Sequence, residues 1–288
     1  MGKTFFDNTV MKKLKNHEPV CGCWSQGSSH VNAEIMAEAG FDLMIIDMEH
    51  SQLSLQDTVH IIQTTKGTGC APFVRTPWND MVWIKQALDT GAYGIHVPYV
   101  STRKEAEYAV KCCKYAPQGV RGIAGSQRAT NFSLSKADYY ARANEDVIVM
   151  IAIETPEGVG NIREIASVEG VDGIFIGPAD LSTSMGYMAN PSVPEVQAAI
   201  REIEEGTKEC GKFLATIASS AKAAKPLYDR GYTMVALLSD TTGLAKLAVD
   251  AVDYFKLDIE NPIIRINTAF KGCSSLEKIS VLPRIYHN

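Results

Sequence analysis

Eight short apolar runs, each followed by a stretch with helical spacing, occupy most of this chain and restrict it to very few architectures. The runs lie at residues 20–24, 43–47, 71–75, 94–98, 147–153, 172–176, 213–217 and 234–238. Their length and near-continuous apolar character are those of strands buried on both faces. Helical periodicity follows at 32–38, 55–66, 80–88, 104–114, 158–167, 193–210, 221–230 and 242–254. Eight strand-helix units in about 240 residues predict an α/β chain closed as a (β/α)8 TIM barrel with a C-terminal extension. A doubly wound sheet would carry a glycine fingerprint after its first strand, and no G-x-G-x-x-G pattern stands there.

Residues 1–255 are read as one catalytic barrel domain and 256–288 as an extension. That extension carries Pro262, Ile263, Ile264, Ile266 and Phe270, too apolar for a solvated tail, so it is expected to pack on a neighbouring subunit or on the barrel. Residues 115–145 exceed a minimal barrel connection, open with the turn chemistry of Ala116-Pro117-Gln118-Gly119, and predict a short helix near 136–143 in an insertion on the active-site face.

Composition excludes several functions. A formal net charge of −5 repels nucleic acid and anionic membrane surfaces. No apolar stretch approaches the roughly 20 residues of a membrane span, and Met1-Gly2-Lys3-Thr4-Phe5-Phe6 has no signal-peptide hydrophobic region. Seven cysteines without metal or disulfide spacing fit free thiols in a reducing compartment. The expectation is a cytoplasmic protein with no nucleic-acid or membrane partner.

Chemistry concentrates where the apolar runs stop, the place where a barrel enzyme presents its catalytic groups. Glu154 and Asp180 follow consecutive strands, five and six, so their carboxylates converge on one side of the mouth. Each acid alone is explained by a solvated loop or, for Asp180, a helix N-cap; together they suit a hard divalent cation such as Mg2+, with Mn2+ or Co2+ also fitting. Gly177, Pro178, Ala179 and Asp180 form a strand-to-helix turn whose free N–H groups suit a substrate carboxylate. Arg75 closes the third strand, placed to hold an oxyanion. His50 follows the second strand and suits a general base, with Asp47 or Asp89 orienting it. No lysine lies in a strand core, which leaves Schiff-base chemistry without a nucleophile. The loops after strands seven and eight lack the glycine pair of a phosphate site.

These residues carry a resemblance. Phe41 through His50, Val74-Arg75-Thr76-Pro77-Trp78-Asn79-Asp80, Pro117 through Gly122, Ile153-Glu154-Thr155 and Val168 through Ser182 resemble the HpcH/HpaI aldolase family, over about residues 20–254. The resemblance implies a class II, pyruvate-dependent aldolase. In that family the residues matching Glu154 and Asp180 hold the metal, which pyruvate chelates. The arginine matching Arg75 stabilises the enolate oxygen, and the histidine matching His50 moves protons. An aspartate matching Asp89 pairs with that histidine. Family members form homo-oligomers, hexamers favoured, whose dimers exchange the last helix. The implied substrates are pyruvate and an aldehyde, or another 2-oxo acid.

One position departs from the pattern: where family aldolases commonly carry glutamine two residues before the metal glutamate, this chain has Ala152. The departure keeps the mechanism and opens the reaction to alternatives: an oxaloacetate decarboxylase or carbon-carbon forming synthase on the same scaffold, or a non-catalytic barrel that binds a 2-oxo acid.

Overall fold

The computed structural model describes residues 9–260, with side chains through residue 257. The eight apolar runs form parallel strands β1 (Val20–Ser25), β2 (Leu43–Asp47), β3 (Ala71–Arg75), β4 (Gly94–Val97), β5 (Ile148–Ile153), β6 (Gly173–Ile176), β7 (Phe213–Ile217) and β8 (Met234–Ser239). They pair in chain order and close β8 onto β1, a TIM barrel as the sequence predicts. The helices are α1 (Thr9–Lys15), α2 (His30–Glu38), α3 (Leu55–Thr64), α4 (Met81–Asp89), α5 (Arg103–Cys113) and α6 (Lys136–Asp146), then α7 (Pro156–Gly160), α8 (Ile162–Ala166), α9 (Pro178–Ser184), α10 (Pro194–Glu209), α11 (Ala221–Asp229) and α12 (Asp240–Tyr254).

Side chains alternate between two cores along each strand. Leu43, Ile45, Phe73, Met150, Phe175, Phe213 and Met234 fill the barrel, while Met44, Ile46, Val74, Ile151 and Ile174 pack outward beneath the helices. Gly94 and Gly173 make room for these interior rings, since a Cβ at either would collide with Phe73 or Phe213. Several turns from strand to helix end in side-chain N-caps: Ser54 and Thr102 form capping boxes, and Asp80 accepts from Val82 and Trp83.

Helix α1 was not legible as an element. Its Val10, Met11 and Leu14 join the interior core and close the end of the barrel where the strands begin, and Lys13 Nζ holds Asp42 at 2.9 Å. The helix at 136–143 is present as α6, but the insertion around it departs from expectation. It follows α5 rather than β4, so it leaves from the end of the barrel opposite the C-terminal strand ends. Among the described residues, those up to Thr241 form one compact unit and those from Thr242 are grouped apart from it. Most of the 256–288 extension lies outside the described residues. Among the described residues no helix is long and apolar enough to cross a membrane.

Candidate active site

Asp47 and Arg75 end neighbouring strands in register, so both inward side chains meet at the mouth. Arg75 Nε and Nη2 donate to Asp47 Oδ1 and Oδ2 at 2.8 and 2.7 Å, a bidentate pair buried from solvent. Asp47 also accepts from Gln26 Nε2 at 2.8 Å and from the backbone N–H groups of Glu49 and His50 at 3.0 and 3.3 Å. Burial works against this carboxylate, yet the hydrogen bonds and charge of Arg75 prevail and hold it below the usual carboxylate range. Arg75 Nη1 lies 2.9 Å from Glu49 Oε2, and the guanidinium rests 4.5 Å over the Trp24 ring. The guanidinium is thus fixed by Asp47 and Glu49 on one side and an aromatic face on another.

Gln26 leaves β1 and is itself held across the barrel seam. Asp240 accepts from the Gln26 and Gly27 N–H groups at 2.9 and 3.0 Å, and Ser239 Oγ donates to Gln26 Oε1 at 2.8 Å. The closure of β1 on β8 therefore sets the orientation of Asp47, and through it that of Arg75.

Glu154 follows β5 and is only 2% exposed. Tyr99 N–H donates to its Oε2 at 3.2 Å, and a Cβ at Gly177 would come within 2.8 Å of its Oε1. Burial pushes the Glu154 carboxyl up to about 7, with the charges of Glu49 and Asp180 adding to the rise. Asp180 is half-buried in the first turn of α9. Pro178 opens that helix without an N–H, which leaves Ala179 and Asp180 to supply the free donors of the turn.

Three acidic side chains therefore load one side of the mouth, opposed by a single arginine. Burial and the charges of Asp47 and Asp180 raise the Glu49 carboxyl although Arg75 Nη1 pairs with its Oε2, and Glu154 is forced toward its protonated form. A hard divalent cation relieves both conditions. Among the described residues no group of three or more His, Cys, Asp or Glu is gathered as a ready metal cage.

Two expected partnerships are not found. The Asp47 carboxylate is occupied by Arg75 and Gln26 and serves His50 only through its backbone N–H, so it orients the arginine rather than the imidazole. The His50 side chain is 59% exposed, with Nε2 3.8 Å from Glu49 Oε2. Asp89 is the last residue of α4, which runs back from the mouth after β3, and its Oδ1 accepts from Arg121 Nη2 at 2.8 Å. Within one chain it stands at the opposite end of the barrel from His50. Glu49 was missed altogether, although it stands two residues beyond Asp47 with the parity that returns a side chain to the same face.

A closed barrel with this charged mouth defines an enzyme of the barrel type that acts on a small molecule at its C-terminal strand ends. The family model for HpcH/HpaI aldolase/citrate lyase matches residues 21–246, and the chain belongs to that family. It is 37% identical to 5-keto-4-deoxy-D-glucarate aldolase of Escherichia coli over 256 residues, which are 89% of this chain and all of that protein. An HpcH/HpaI aldolase/citrate lyase family protein from Burkholderia cenocepacia superposes with a TM-score of 0.83 at 30% identity, covering 86% of this chain and 99% of the other. The citrate synthase SbnG superposes at 0.77 with 28% identity, covering 86% and 97%. The chain is accordingly a carbon-carbon lyase of the aldolase kind.

Proposed function

We propose that this enzyme is a metal-dependent class II aldolase that interconverts a 4-hydroxy-2-oxo acid with pyruvate and an aldehyde. The observation that carries the reading is the pairing of a fixed cation with a crowded acid cluster: Arg75, locked by Asp47, beside Glu154, whose carboxyl is burdened by Glu49 and Asp180. Glu154 and Asp180 hold a divalent ion, Mg2+, Mn2+ or Co2+, which when bound supplies Lewis-acid polarisation of the 2-oxo acid.

Cleavage removes a proton from the C4 hydroxyl, breaks the C3–C4 bond and leaves its electron pair on an enolate. Arg75 stands to hold the enolate oxygen, because its charge is permanent and its orientation is set before substrate arrives. His50, exposed at the rim beside Glu49, carries the C4 hydroxyl proton away and returns one to C3, through water where it does not reach directly. The Ala179 and Asp180 N–H groups at the start of α9 take the substrate carboxylate. The similarity to 5-keto-4-deoxy-D-glucarate aldolase supports a hydroxylated, acidic 2-oxo acid as substrate. We place the enzyme in the cytoplasm as a homo-oligomer, a hexamer favoured.

A second reading is a carbon-carbon forming synthase or an oxaloacetate decarboxylase using the same enolate. Ala152 at the position of the family glutamine and the similarity to a citrate synthase favour keeping it. The test offers 5-keto-4-deoxy-D-glucarate, related 4-hydroxy-2-oxo acids and oxaloacetate to the enzyme with Mg2+ or Mn2+, before and after chelation. Pyruvate release from the hydroxy acids that chelation abolishes supports the aldolase; release from oxaloacetate alone refutes it in favour of the decarboxylase.

A further inference from the structure

His96 is wholly buried inside β4, yet the aldolase reading gives it no task. Its register neighbours are Arg75 on β3 and Met150 on β5. Strand β4 lies between the strand that ends in the oxyanion-holding arginine and the strand followed by the metal-holding glutamate. Position 96 thus lies on the strand between the two groups that the aldolase reading places on the substrate.

The ring sits in an aromatic layer, 4.6 Å from the Phe175 ring and 5.8 Å from the Trp24 ring, the same indole on which Arg75 rests. Neither ring nitrogen of His96 has a hydrogen-bond partner in the protein, nor has Trp24 Nε1. A buried donor or acceptor with no partner costs its desolvation without return, and a leucine would fill the layer at no such cost. Ala152, two residues along β5 from Met150 and in register with Phe175, offers only a methyl group to this layer. Burial, with the charge of Arg75 adding, keeps the imidazole neutral, so it carries one donor and one acceptor.

We propose that His96 is a recognition residue for the 2-oxo acid: its ring hydrogen-bonds an oxygen of the bound acid, directly or through one water shared with Trp24 Nε1–H. This rests on the reading of the mouth as a 2-oxo acid site. Neutral hydrogen bonding from the floor complements the charged grip of Arg75 and of the acid-held cation. In this chain the polar group comes from β4, beside a β5 position reduced to alanine.

The experiment measures binding of oxamate, an unreactive analogue of pyruvate, to the full-length enzyme with saturating Mg2+ by calorimetry. His96→Leu should weaken oxamate about tenfold, the loss of one neutral hydrogen bond, while Mg2+ alone binds unchanged. His96→Gln, which keeps a donor and an acceptor, should recover part of the loss. The KM for pyruvate in deuterium exchange should rise in His96→Leu with kcat little altered, the mark of lost binding shared by ground and transition states. Oxamate affinity unchanged in His96→Leu, whatever its melting temperature, makes the ring a packing element and overturns the proposal. Failure of the wild-type enzyme to bind oxamate with any divalent metal removes the 2-oxo acid reading itself, and the role of His96 with it.

Discussion

Replacing Asp47 by Asn keeps the shape at the end of β2 and removes the charge that fixes Arg75. Asp47 accepts five hydrogen bonds, two of them from the guanidinium. An amide accepts through one oxygen only, and its NH2 must then face the donors of Gln26 or Arg75. Breaking a buried ion pair by removing one partner costs about 3–5 kcal/mol. The lower end, about 3 kcal/mol, applies here because Glu49 remains 2.9 Å from Nη1. In a barrel of this size that loss lowers the melting temperature by roughly 5–10 °C, read by scanning calorimetry. Arg75→Met alone should cost at least as much as Asp47→Asn, since it strips the cationic partner from both Asp47 and Glu49. Asp47→Asn should also depress kcat by roughly a hundredfold through a misplaced guanidinium. Asp47→Asn melting within about 2 °C of wild type, or an unaltered kcat, refutes the claim that Asp47 organises the arginine.

The Asp47 carboxyl is held below its ordinary value, so its contribution to stability is complete above the unfolded pKa and disappears as pH falls through the folded one; acid melts of Asp47→Asn should converge on those of wild type as pH falls through that range. Glu154, pushed up to about 7 without metal, must lose a proton to bind a cation below that pH. Calorimetry at pH 6 in buffers of different ionisation enthalpy should show proton release on Mn2+ binding that vanishes by pH 8.5, and equal heats at pH 6 would contradict the cluster. Gly177→Ala puts a Cβ against Glu154 Oε1 and should weaken Mn2+ by roughly 10–100-fold with the fold intact; unchanged affinity would place the ion elsewhere. Ala152→Gln forces a longer side chain into the packed layer of Phe175 and should destabilise by about 1–3 kcal/mol in chemical denaturation. A neutral or stabilising change would mean that the layer has room for the glutamine.

The barrel was legible because strands covered on both faces must be almost wholly apolar, and each run stops where its chemistry begins. Glu154, Asp180 and Arg75 stand out on that ground, being charged residues at the ends of apolar strands. Glu49 did not, because it lies beyond the strand, where the alternation rule weakens. Nor could strand ends show that Asp47 faces Arg75 rather than His50; that follows from the β2–β3 register, which pairs the two. Asp89 is placed beside His50 both by the reading of the strand ends and by the resemblance, and within one chain α4 carries it to the far end of the barrel, where Arg121 holds it. The insertion was set on the wrong face because its length was read without noting that α5 already stands between it and β4. Helix α1 presents three apolar residues in barely two turns, too few to distinguish a plug from a tail. His96 looked like an ordinary strand residue, and only the absence of a protein partner for both its nitrogens sets it apart.

Proton NMR of pyruvate in heavy water tests the central claim most directly, since loss of methyl protons reports enolate formation without any acceptor. Wild-type enzyme with Mg2+ or Mn2+ should exchange the methyl group, chelation should stop it, and Glu154→Ala should abolish it. No metal-dependent exchange by the wild-type enzyme with any divalent ion would contradict the pyruvate aldolase account.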